Sequence, residues 1–98
     1  MITPIQDTEV CTWLQGHIEA TYQQLVKAFG LPNSQGDTTK TDAEWLLSTD
    51  KGVATIYNWK NGKAYMGKNG DTIENITFWN IGGTNPIVVE EIKNYLNN

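Results

Sequence analysis

Side chains able to do chemistry concentrate in three places along the chain. The first is the polar loop Gly36–Asp42 (GDTTKTD), where Asp37, Lys40 and Thr41 supply a carboxylate, an ammonium and a hydroxyl. The second interleaves rings with lysine: Tyr57, Trp59, Lys60, Tyr65 and Trp79. Aromatic faces stack on nucleobases and ammonium groups meet phosphates, so such a set suits a planar anion. Core packing is the competing use of the same rings. The third is Ile81-Gly82-Gly83-Thr84-Asn85, which leads out of an apolar run toward a helix start. Glycine lets a backbone approach a ligand, and free amides at a helix start favour an anion; a plain tight turn is the alternative. These features predict a ligand site drawn from Asp37, Lys40, Thr41, Trp59, Lys60, Trp79, Gly82, Gly83 and Thr84.

Catalysis finds little to work with. His17 is the single histidine and Cys11 the single cysteine, so neither a histidine-rich nor a thiolate zinc site can be assembled. No G-x-S-x-G, G-x-x-x-x-G-K-[ST] or H-E-x-x-H pattern occurs. Asp37, Asp42 and Glu44 lack the regular oxygen-ligand spacing of a calcium loop. A protein that is not an enzyme, with no cofactor and no metal, is expected.

Charge narrows the partners. The net charge is −4, and the seven basic residues are all lysine, with no arginine. Five of the seven lysines lie between Lys40 and Lys68. Nucleic-acid binders present clustered basic surface and use the arginine fork on phosphate and guanine, so a nucleic-acid partner is not expected. The first residues lack a basic stretch followed by an apolar one, and no run approaches the roughly 18 apolar residues of a membrane span. With one cysteine and no disulfide, a cytoplasmic protein without a membrane partner is expected.

The elements that must position these residues follow from local patterns. Length predicts one domain over 1–98. Glu9–Ala20 fits a helix spacing loosely and is read instead as a strand with an internal glycine or a bent extended segment, with strand and helix both open. Thr21 and Gln24 form a capping box ahead of the stripe Tyr22, Leu25, Val26 and Phe29, so a short helix runs to Gly30, and Pro32 prevents its continuation. Thr41–Thr49 and Val53–Lys60 alternate as two strands of a hairpin around Asp50-Lys51-Gly52. Both faces of the second strand carry apolar or aromatic residues, which predicts a central strand covered on both sides. Lys63–Lys68 is expected as a short edge strand around Tyr65, and Ile76–Ile81 as the last strand, ended by Gly82-Gly83. Asn85 and Pro86 open a closing helix whose face is Val88, Ile92, Tyr95 and Leu96. The sum is an α+β fold: a small antiparallel sheet of three to five strands, a short helix after the first strand, and a C-terminal helix packed on the sheet.

Four segments in order, FGLP at Phe29–Pro32, GDTTKTDAEW at Gly36–Trp45, ATIYNWK at Ala54–Lys60 and FWNIGG at Phe78–Gly83, carry a resemblance. The chain resembles a family of small phage, prophage and large-virus proteins that share FG-P, GD-x-x-K-T, EW, TIYN-x-K and W-x-IGG motifs. The resemblance spans roughly Gly16 to Gly83 and implies an accessory role against host defence, in the host cytoplasm. It implies first a sponge that sequesters a nucleotide-derived immune signal without cleaving it. The alternatives are an inhibitor that masks a host defence complex, as small acidic anti-CRISPR proteins do, and a phage structural or accessory protein with no small ligand. Sponges often place the ligand between subunits, so a homo-oligomer, specifically a dimer, is expected.

Overall fold

The computed structural model describes residues 2–6 and 11–97. Its strands are β1 (Thr3–Pro4), β2 (Trp13–Glu19), β3 (Glu44–Thr49), β4 (Gly52–Tyr57) and β5 (Phe78–Gly83). They form one antiparallel sheet in the order β1-β3-β4-β5-β2. The expected strand within Glu9–Ala20 is therefore present as β2; Glu9 and Val10 lie outside the described residues, as do Met1 and Asp7 of the N-terminal tail.

Register builds the core. Trp45 lies opposite Ile56, and Ile56 opposite Ile81; Leu47 lies opposite Ala54, and Ala54 opposite Gly83. Cross-strand partners share a face, so Trp45, Leu47, Ala54, Ile56, Trp79 and Ile81 make one apolar surface, all at 0% exposure. Helices α1 (Tyr22–Phe29) and α3 (Ile87–Leu96) cover it with Leu25, Phe29, Val88 and Ile92. Each large side chain so buried contributes about 1.5–3 kcal/mol. The second strand of the hairpin is central, as its composition suggested, but both long helices lie on its core face. On the other face Val53 and Tyr57 are half-buried.

The capping box is formed: Gln24 N donates to Thr21 Oγ1 at 3.0 Å, and Thr21 N donates to Gln24 Oε1 at 2.7 Å. Gly30 ends α1 with its amide on the Val26 carbonyl, and its own carbonyl accepts the Trp45 indole N–H at 2.8 Å. At the start of α3 the N-cap is Pro86 rather than the expected Asn85, which lies one residue further out and accepts the Ile87 amide on its Oδ1 at 3.0 Å.

Three further expectations are corrected. Lys63–Lys68 is not an edge strand: Lys63–Met66 is a single helical turn, α2, followed by a 3₁₀ turn at Gly67–Asn69. The cause lies far away in sequence, because the Asp42 carboxylate accepts the Ala64 amide and holds the first turn. The hairpin strands are shorter than expected: β3 begins at Glu44 rather than Thr41, and β4 ends at Tyr57 rather than Lys60, whose φ is 62°. Finally, Gly82 and Gly83 do not terminate the last strand; they belong to it. Their smallness serves space. A Cβ on Gly83 would lie 2.4 Å from Val88 Cγ2, and one on Gly82 2.5 Å from Thr55 Oγ1.

Candidate functional site

The loop Gly36–Asp42 and the chain leaving β4 meet at one end of the sheet. The Lys60 amide donates to the Lys40 carbonyl at 2.9 Å. Lys40 Nζ stands 5.6 Å from the centre of the Trp59 ring, and Lys60 Nζ 5.3 Å from that of Tyr65. Trp59 is 41% exposed and Tyr65 51%. Tyr57 meets Trp59 edge-on with ring centres 6.1 Å apart. A partly exposed indole, two lysines and a second ring thus share a corner, which is the set of groups a stacked planar anion requires.

A polar network beneath the corner holds it in shape. Asn58 is fully buried. Its Oδ1 accepts the Asp42 and Ala43 amides at 2.7 and 3.1 Å, and its Nδ2 donates to Asp42 Oδ1 and Asn61 Oδ1 at 2.9 and 3.0 Å. Asp42 in turn accepts the Ala64 amide. Gly62 lies so close that a Cβ there would come within 2.4 Å of Asp42 Oδ1. Lys60, at φ 62°, occupies a region that costs a residue with a side chain on the order of 1–3 kcal/mol. The surrounding bonds over-determine that conformation, and it directs the lysine toward Tyr65.

The predicted loop residues play different parts. Asp37 is an internal fastener: its Oδ1 accepts the Thr39 hydroxyl at 2.7 Å and the Thr39 amide at 3.0 Å, and its carbonyl accepts the Lys40 and Thr41 amides. Those two Thr39 bonds, with Lys40 Nζ 3.4 Å from Asp37 Oδ2, hold the exposed carboxyl below its usual 3.8. Thr41 is buried but borders a shallow depression of about 570 Å³ together with Pro32, Thr38, Asp42 and Lys63. On the open sheet face beyond, burial raises the Tyr57 phenol above 10.0; a hydrogen bond with Asn80 opposes the rise and the Glu44 charge adds to it.

Trp79, Gly82, Gly83 and Thr84 lie elsewhere. Trp79 is a core ring at 0% exposure, edge-on to Trp45 at 5.5 Å, with its N–H on the Ala20 carbonyl at 2.9 Å. No ligand reaches it without opening the core. Thr84 pairs with Val53 through its amide (3.0 Å) and its hydroxyl (3.3 Å). The amides that were to face an anion are thus used within the fold, by Val53 and by Asn85. Gly83 lies opposite Ala54, whereas the loop meets the chain at Asn58 to Lys60. Four to six residues separate the two, extended as far as Tyr57, a span on the order of 10 Å or more. The loop and the glycine pair sit at opposite ends of β4.

Two features went unpredicted from the sequence. Asn58 follows Ala54 and Ile56 on the inward face of a strand, and a lone amide in an apolar row was the available signal. The other is a cleft of about 880 Å³ where α1, α3 and the end of β2 converge. Its residues come from four separate segments, and no local pattern unites them.

Among the described residues no three His, Cys, Asp or Glu side chains converge as a metal site, and no helix is long and apolar enough to cross a membrane. No family model, no curated protein sequence and no solved structure matches this chain.

Proposed function

We propose that this chain is a non-catalytic binding protein that sequesters a nucleotide-derived anionic molecule, in the manner of a viral counter-defence sponge. The observation that carries this reading is Lys40 poised 5.6 Å over the partly exposed Trp59 ring, on a backbone pinned by buried Asn58. A base stacks on Trp59, and Lys40 and Lys60 swing onto its phosphates. Stacking of this kind is worth about 1–3 kcal/mol per base. The viral setting comes from the motif resemblance, whose GD-x-x-K-T and TIYN-x-K segments are the two that meet at this corner. A dimer belongs to the same proposal: β2 is an outer strand, and Trp13 and Leu14 on it are 63% and 56% exposed.

The test incubates the protein with cyclic nucleotides and ADP-ribose derivatives, then heats it to release what was bound. Unchanged ligand in the supernatant, and at least tenfold weaker binding by Trp59→Ala or Lys40→Ala with the fold intact, supports sequestration. Altered ligand points to an enzyme. If no compound shifts the melting temperature, a protein partner takes the place of the small ligand. Light scattering reads the oligomer, and a monomer removes that part.

A further inference from the structure

We propose a second ligand site, independent of the Trp59 corner: the cleft between the last turns of α1 and α3 and the end of β2 takes a small aromatic molecule bearing one dianionic group such as a phosphate monoester. Its volume of about 880 Å³ falls within the range of about 300–1,000 Å³ typical of small-molecule pockets.

Three rings line it, His17, Phe78 and Tyr95, and the last is backed by a ring outside the lining. Phe78, 48% exposed, meets His17 with ring centres 4.9 Å apart and 30° between planes. Tyr95, 40% exposed, stacks on Phe29 at 5.3 Å with 23° between planes. A ring braced on one side keeps its outer surface available and loses little freedom when a ligand stacks on it. Ala20 and Ala28 add apolar lining.

Charge selects the ligand further. Lys27, in the last turn of α1, and Lys93, in the last turn of α3, both line the cleft. A lysine in a helix's last turn complements the helix dipole, which accounts for each position alone but not for their convergence on one cavity. Neither has an ion-pair partner among the described residues. Glu19 is the one carboxylate side chain among the described lining residues, so with Lys27 and Lys93 their side chains carry a net +1 in a chain whose net charge is −4. This local reversal of sign, between two aromatic walls, fits a ring with a phosphate better than a neutral or cationic molecule. Gln24, in the first turn of α1, also lines the cleft, and the two lysines supply its positive charge, so binding weakens as salt rises.

Adenosine 5′-monophosphate and adenosine serve as probes, titrated into the full chain and followed by amide NMR. The expected result is that the monophosphate shifts amides within 17–20, 27–28 and 93–97, and binds at least tenfold more tightly than adenosine. In Lys27→Met/Lys93→Met that gap closes. Both lysines are exposed, so the variant keeps its fold, which the dispersion of the same spectrum verifies. Shifts confined to the neighbourhood of Lys40 and Trp59, no shifts at all, or an unchanged gap in the double variant would overturn the cleft site. The map also separates the two sites, since they share no residue.

Discussion

Replacing Asn58 with alanine tests whether one buried amide holds the corner together. The side chain makes four hydrogen bonds, two accepted and two donated, at 0% exposure. Alanine leaves the Ala43 amide buried without an acceptor and strips the half-buried Asp42 amide of its own. Each stranded group costs about 1–3 kcal/mol, and the less buried one sits at the low end, so the sum is about 3 kcal/mol. For a domain of this size one kcal/mol corresponds to roughly 4–8 °C, which predicts a fall in melting temperature of roughly 12–24 °C. Asn58→Asp keeps the acceptor but sets a second carboxylate against Asp42, so it falls at least as far at neutral pH. Circular-dichroism melts read the global loss, and hydrogen exchange at the Asp42 and Ala43 amides reads local release of the loop. A fall under about 4 °C with both amides still protected would refute the claim that this network holds the loop against β4.

Three further outcomes are expected. Trp79→Phe removes the donor to the Ala20 carbonyl and leaves a gap in the core; urea denaturation should show a loss of about 2–3 kcal/mol, while binding at the Trp59 corner is unchanged. Gly83→Ala drives a methyl into Val88 and should cost about 1–3 kcal/mol in the same assay, with Val88→Ala in the second position restoring part of it. Asp37 should titrate below 3.8 by carboxyl carbon NMR, and Thr39→Val should move the midpoint back up, because the Thr39 hydroxyl is the largest cause of the shift. The sign follows: a depressed carboxyl contributes stability above its unfolded pKa and loses it as pH falls through the folded value, so acid weakens the loop first. A Thr39→Val midpoint equal to that of the parent would count against this account.

How much was legible varies with the range of the interaction concerned. The α1 capping box lies within Thr21 and Gln24, and the hairpin of β3 and β4 is set by Asp50 and Lys51, so neighbours in sequence sufficed for both. Gly82-Gly83 misled because the residue types of a turn are also those of a tightly packed strand. Only the position of Val88 and Thr55 distinguishes the two uses. Lys63–Lys68 misled for a related reason, since the carboxylate that starts its helical turn belongs to Asp42. Of the rings, Trp79 lies within β5 and its register sends it to the core, whereas Trp59 lies past the end of β4, next to Lys60, and stays partly exposed.

By itself the sequence determined the fold class, the caps of the first helix, the alternation that buries Trp45, Leu47 and Ile56, and the net charge of −4. These depend on backbone geometry and on composition, both complete within a few residues or summed over all of them. Tertiary structure decided that Lys40, Trp59, Lys60 and Tyr65 meet, that the glycine pair lies at the far end of β4, and that Lys27 and Lys93 converge on one cleft. Such meetings depend on strand order and on side chains far apart along the chain. Their partners are chosen only when the sheet closes.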